Sequence, residues 1–315
     1  MRRAFLTVIL GLLSLPAFAG ETYSIATGSP SGLYYPFGGG LASIWSKNSD
    51  NINMKAEVTA ASVVNIIQVA RGESEAGISQ GDALRDAISG TGVFPEAMPV
   101  KALFALYPNV VHAVTTADSG IKSIEDLRGK RVSVGAPGSG TAITTLNILN
   151  TLGLSEDDFT IRYLSYTETA DGLKSGTIDA GFMVGGVGLA AMVELALTRD
   201  VSMIPFSDAE LGKIHAAYPA YSTFEVPEET YKGVPAGIQT VTLWNFLIVH
   251  EDLPDEIATE MLEVAFAHHE ELLGITKVAK YMTRENSLQY AKGILHPAAE
   301  AFFANPLSMK KKEEK

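Results

Sequence analysis

The residues best suited to chemistry lie in Gly135-Ala136-Pro137-Gly138-Ser139-Gly140-Thr141, a glycine-rich turn between two apolar runs. The first run, 131–135, reads as a strand, and the second, 141–152, has helical spacing. The backbone N–H groups of such a turn, the Ser139 and Thr141 hydroxyls and the positive end of the helix would converge on a carboxylate or phosphate oxygen. Pro137, Gly138, Ser139, Gly140 and Thr141 are therefore candidate ligand-binding residues. The loop is not a nucleotide motif. No Gly-Lys-Ser/Thr follows, and the third glycine of a dinucleotide fingerprint is missing.

Three further segments have comparable character. Gly28-Ser29-Pro30-Ser31-Gly32-Leu33-Tyr34-Tyr35-Pro36 leaves a predicted strand and enters a predicted helix. Its glycines permit close backbone approach, its helix start attracts anions, and the two tyrosines offer ring faces and hydroxyls. Gly28, Ser31, Gly32, Leu33, Tyr34 and Tyr35 join the candidates, although an ordinary strand–helix turn with core tyrosines reads the same way. Ser62 stands at a helix start with Asn65 one turn on, and Ser62 could equally be an N-cap. Gln80 and Asp82 follow a short apolar strand. Asp82 could cap the next helix, whereas Gln80 has no such role. Tyr107 could pack a ligand's carbon chain, and Gly185 lies in a glycine-rich stretch after Phe182.

Catalytic arrangements are not found. None of the 6 histidines forms His-Glu-x-x-His, and adjacent His268 and His269 on a predicted helix point about 100° apart. No Gly-x-Ser-x-Gly elbow surrounds Ser139 or Ser31. With 0 cysteines, disulfides, thiolate catalysis and cysteine zinc sites are excluded together. The expectation is binding without turnover, with no cofactor and no metal site.

The candidates fall at the joints of a strand–helix rhythm. Strands are predicted at 22–27, 52–58, 76–79, 101–107, 110–115, 131–135, 159–164, 178–184 and 240–249. Helices are predicted at 33–46, 62–70, 82–88, 141–152, 167–174 and 254–273. This alternation indicates an α/β protein with mostly parallel sheets. The simplest partition is a two-lobed chain, with lobe 1 from 20–115 and 241–315 and an inserted lobe 2 at 116–240. In such folds the ligand cleft lies between lobes, at the C-terminal ends of strands.

Arg2 and Arg3, the apolar run 4–15 and Pro16-Ala17-Phe18-Ala19 read as a secretory signal peptide cleaved after Ala19, giving a soluble periplasmic protein. Removing the two arginines takes the net charge from -12 to about -14. An acidic surface argues against nucleic acid and anionic lipid, which are met by clustered Lys and Arg. Any anion site must therefore be local. The 310–312 lysine tail reads as a solvated end.

Taken in order, these motifs resemble the extracytoplasmic receptors of TAXI-type TRAP transporters. The similarity runs through Gly28 to Pro36, Ser62-x-x-Asn65, Gln80-x-Asp82, Leu106-Tyr107-Pro108, Asp126-Leu127-x-Gly129-Lys130-x-Val132 and the Gly135 to Thr141 loop. It continues at Ile178-Asp179-Ala180 and Leu295-His296-Pro297-x-Ala299, and so spans essentially the whole mature chain. The resemblance implies a two-lobed periplasmic-binding-protein fold of type II, with two crossovers, that closes on its ligand. It implies delivery of a small anionic metabolite, of the glutamate, glutamine or 2-oxoglutarate kind, to TRAP membrane permease subunits driven by an ion gradient. A monomer is expected. The chain departs from the family's pattern in three places. Asn109 stands where an acidic residue is common, Ala60-Ala61 where glycine is usual, and Gly185-Gly186-Val187-Gly188-Leu189 where Gly-x-Pro often ends the stretch. No arginine clamp is evident among Arg71, Arg85, Arg128 and Arg131. A receptor for an ATP-driven importer of sulfonates or thiamine precursors, and a ligand-presenting partner of a sensor kinase, remain as alternatives.

Overall fold

The computed structural model describes residues 22–305. The signal peptide expected at 1–19 and the lysine tail at 310–312 lie outside the described residues. The chain begins with two strand–helix repeats and a third strand: β1 (Thr22–Ala26), α1 (Tyr34–Asn48), β2 (Asn53–Glu57), α2 (Ser62–Ala70) and β3 (Ala76–Gln80). A short helix, α3 (Gly81–Ser89), leads to a long strand, β4 (Val100–Thr116). The rhythm resumes in β5 (Arg131–Ser133), α4 (Gly140–Thr151), β6 (Thr160–Arg162), α5 (Tyr166–Ser175) and β7 (Ala180–Gly185). Then come α6 (Ala190–Thr198), β8 (Val201–Met203), α7 (Asp208–Ala217), β9 (Ser222–Glu225) and β10 (Gln239–His250). Four helices complete the described chain: α8 (Asp255–Ala267), α9 (His269–Ile275), α10 (Arg284–Tyr290) and α11 (Pro297–Ala304).

One mixed sheet runs through the molecule in the order β2-β1-β3-β10-β4-β7-β5-β6, with β8 on β4 and β9 on β10. The expectation of mostly parallel sheets needs correction. The pairs β1–β2, β1–β3, β5–β6 and β5–β7 are parallel, whereas every strand–strand pairing made by β4 or β10 is antiparallel.

A second correction concerns the strands expected at 101–107 and 110–115, which are one strand. Pro108 lacks an N–H and reads as an interruption. Here β10 runs opposite it, with Trp244 across from Pro108 and a bulge between Trp244 and Phe246. The helix expected at 254–273 is broken at His268, whose φ of -111° and ψ of 25° leave helical geometry. His269 then packs with Nε2 2.7 Å from the Ala279 carbonyl oxygen.

Local sequence explains several boundaries. Ser165 and Glu168 form a capping box at α5, and Ser207 and Glu210 do the same at α7. Gly176 ends α5 at φ 71°, a left-handed cap that glycine adopts without strain.

The core divides along the two long strands. Leu106, Tyr107, Phe246 and Leu247 belong to one cluster with α1, α2, α8 and α11. Val111, Ala113, Val241 and Leu243 belong to a second, with Phe182 and Ile148. Val114, Met183 and Met192 form a third. Neighbouring β7 residues Phe182 and Met183 fall in different clusters because strand side chains alternate between faces. The sheet thus carries one core on its first half and a core on each face of its second half. The clusters change between Tyr107 and Val111 in β4 and between Leu243 and Phe246 in β10.

Candidate functional site

Strand ends from both halves face one another where β4 and β10 change cores. Between them lies a cavity of about 290 Å³. Five helix starts reach its wall. They are Leu33 and Tyr34 at α1, Ala61 and Ser62 at α2, Gln80 ahead of α3, Ser139 to Thr141 at α4, and Ser165 and Tyr166 at α5. Within each half the parallel βα units carry the helix starts to the C-terminal strand ends, and because β5 and β6 run opposite to β1, β2 and β3 the two sets face one another across the cavity. Tyr107 and Asn109 of β4 and Val184 and Gly185 at the end of β7 complete the lining used below.

The cavity gathers Gly28, Gly32, Leu33, Tyr34, Ser62, Gln80, Tyr107, Ser139, Gly140, Thr141 and Gly185 from the positions expected in the sequence. Ser31, Tyr35, Asn65, Asp82, Pro137 and Gly138 are not on its wall. Tyr35 is 38% exposed. The Ser31 hydroxyl lies 2.8 Å from that of Ser29. Asn65 stands behind the wall, where Nδ2 donates to the Thr27 and Ile78 carbonyls at 2.6 and 2.7 Å and so ties β1 to β3. Gly138 accepts from the Val63 N–H at 3.2 Å.

Asp82 has another role. It is buried beneath the cavity, and its Oδ2 accepts from the Thr144 hydroxyl at 2.6 Å and the Tyr221 hydroxyl at 2.7 Å, both from the second half. Burial raises its pKa above the usual carboxylate value, partly offset by those hydroxyls and by the Ala83 N–H. Gln80 bridges in the same place, with Oε1 accepting from the Thr144 hydroxyl at 3.0 Å. A Cβ on Gly140 would stand 2.6 Å from Ser62 Oγ, so only glycine lets α4 come this close to the other half. Together these contacts hold the two halves shut over the cavity.

The hydroxyl of Ser139 is already committed. It caps α4 by accepting from the Ala142 N–H at 3.2 Å and donates to the Ala136 carbonyl at 2.7 Å. The Gly140 and Thr141 N–H groups, with no intrahelical acceptor at this end of a helix, are left for a ligand. Thr141 Oγ1 lies 3.0 Å from the Tyr166 hydroxyl, which donates to the Val184 carbonyl at 2.6 Å. Burial pushes Tyr166 up to about 12 and raises Tyr34 and Tyr107 well above the ordinary phenol value, so all three present neutral hydroxyls.

Ser29, Thr59, Ala60, Ala61 and Ala136 belong to segments read as cleft-lining but were not singled out, whereas Asn109, Ser165, Tyr166 and Val184 were missed as wall residues. The Ser165-x-x-Glu168 box could have found Tyr166, since it fixes where α5 begins. No lining residue among those described is charged, and Arg71, Arg85, Arg128 and Arg131 all lie elsewhere. Arg131, for one, forms a bidentate pair with Asp179. No helix among the described residues is long and apolar enough to cross a membrane. A cavity at the joint of two α/β halves, walled by helix starts, is the architecture of the periplasmic binding proteins.

Solved structures of that fold resemble this one at low sequence identity. A protein assigned to an L-cystine ABC transporter of Listeria monocytogenes gives a TM-score of 0.52 at 13% identity, covering 85% of this chain and 98% of that one. The ligand-binding component of an ABC-type import system from Staphylococcus aureus, with zinc bound, gives 0.51 at 8% identity, covering 90% and 89%. The substrate-binding protein of an amino acid ABC transporter gives 0.50 at 12% identity, covering 82% and 98%. The chain belongs to the NMT1-like family, whose model matches residues 25–305.

Proposed function

We propose that the protein is a periplasmic solute-binding component of a transport system that captures a small carboxylate and performs no reaction on it. The observation that carries this reading is the convergence of five helix starts on one cavity with no charged residue on its wall among those described. The free Gly140 and Thr141 N–H groups and the positive ends of the helix dipoles favour an anion without an arginine or lysine. Two halves contribute to the wall. A ligand that touches both therefore stabilises the closed arrangement through its differential contacts. The hinge of this two-lobed molecule is taken to lie at Tyr107–Val111 and Leu243–Phe246, where the core changes.

The test is a thermal-shift and calorimetric screen of carboxylates against their uncharged amides. Carboxylates raising Tm while the amides do not is the expected result, since binding to the folded state alone stabilises it. A neutral compound binding more tightly than its acid would refute the anion assignment.

The motifs that resemble TAXI receptors favour a TRAP permease and an ion gradient. The similar solved structures belong to ABC-type systems, which keeps an ATP-driven importer as the second reading. Reconstitution with the cognate membrane subunits separates them, because uptake follows a sodium or proton gradient in one case and ATP in the other.

A further inference from the structure

Two buried polar atoms on the cavity wall have no partner: Tyr107 Oη and Asn109 Oδ1. Both residues are essentially inaccessible, at 0% and 1% exposure. They stand two positions apart on β4, beside its bulge, and both line the cavity.

The orientation of the Asn109 amide follows from its neighbours. Asn245 Nδ2 donates to the Tyr107 carbonyl at 3.0 Å, which makes Asn245 Oδ1 an acceptor. That oxygen receives the Tyr34 hydroxyl at 2.6 Å and Asn109 Nδ2 at 2.9 Å. Flipping Asn109 would set two oxygens against each other, so its Oδ1 must be the free end. A lining residue therefore leaves an acceptor without a donor beside the cavity. Beside it, the Tyr107 hydroxyl can donate or accept.

From this we infer that the solute is a hydroxy acid, a small carboxylate bearing a hydroxyl, rather than the corresponding amino acid or oxo acid. The inference rests on the carboxylate reading above and deepens it. A hydroxyl can donate to Asn109 Oδ1 and accept from Tyr107, whereas an oxo group has no donor and leaves Asn109 unpaired. An ammonium can donate, but it would enter a pocket made positive by five helix starts and meet no carboxylate on the wall. Asp82, a buried acid off the wall, already accepts from Thr144 and Tyr221.

The experiment is calorimetry on the purified protein with two matched series: 2-hydroxyglutarate, glutamate and 2-oxoglutarate, and lactate, alanine and pyruvate. In the series that binds, the hydroxy acid should exceed both counterparts by about tenfold or more, the cost of one buried unpaired group. Tyr107→Phe removes an unpartnered hydroxyl and should leave folding intact while weakening the hydroxy acid by roughly tenfold. Asn109→Leu should erase the preference for the hydroxy over the oxo acid. An amino acid that binds as tightly as its hydroxy partner overturns the inference and leaves the carboxylate reading standing. Failure of all six acids, with uncharged compounds binding instead, overturns both.

Discussion

At the start of α2, Ala61 holds φ 76° and ψ -148°, a backbone conformation natural to glycine and costly for alanine. It offers no capping side chain, and its N–H is received by Thr59 Oγ1 at 2.9 Å. Ala61→Gly should raise stability by about 1 kcal/mol, measured by urea denaturation, because a strained Cβ is removed. Ser139 leads to a different expectation. Ser139→Ala should cost roughly 0.5–2 kcal/mol in the same assay through loss of the α4 cap. Ligand affinity should change little, since the hydroxyl is spent on Ala136 and Ala142 and the backbone N–H groups remain. A large affinity loss without a stability loss would contradict that division of roles. The Ser139 position was legible from its glycine-rich surroundings, but the use of its hydroxyl was not, because capping and ligation call for the same residue type.

Among the elements, the strand–helix alternation from β1 to β7 was legible because its apolar periods are clean. Between α6 and β9 it was not, since strands of three or four residues such as β8 and β9 carry too few alternations to register. The joining of β4 through Pro108 depended on pairing with β10, more than a hundred residues away, and on a bulge in β4 between Ala105 and Pro108, which local pattern cannot reveal. Asn109 was visible only as a departure from a family pattern. Its importance comes from Asn245, which fixes its orientation.

Within the second half, β4 also carries His112, whose Nδ1 lies 3.0 Å from the Met183 carbonyl and whose Nε2 lies 2.8 Å from the Tyr231 hydroxyl. Tyr231 in turn accepts from the Gly188 N–H at 3.1 Å, so its own proton points to Nε2. Burial lowers the His112 pKa to about 4, below the unfolded value near 6.5. The neutral ring is therefore favoured in the native state. Its contribution is fully present above about pH 6.5 and is lost as pH falls toward 4, by roughly 3 kcal/mol at most. Stability curves of wild type and His112→Gln should converge in acid, and parallel curves over that window would refute the assignment.

For the whole molecule, closure and protonation are coupled through Asp82. In the shut arrangement burial makes its carboxyl hold a proton more readily than it would in water, with Asp86 adding like charge and the Thr144 and Tyr221 hydroxyls only partly offsetting this. Opening rehydrates it and returns its pKa toward the usual value. The closed state is thus relatively favoured at low pH, and this advantage fades as pH rises past the ordinary carboxylate range. Ligand affinity should show that slope in calorimetry, and Asp82→Asn should flatten it. His112 lies wholly within the second half and does not contribute to the difference between open and closed states.

The position of β10 has a consequence for how the protein comes into being. Its place in the sheet is central, between β3 and β4, although it is the last strand among the described residues. Until residues 239–250 have emerged from the ribosome, both neighbours present bare edges and the first core cannot close. A growing chain therefore stays loose through most of its synthesis. That delay would suit the export proposed for this protein, since a chain threaded through a membrane must not fold first. It also leaves two long apolar edges exposed meanwhile, which a chaperone would have to shield.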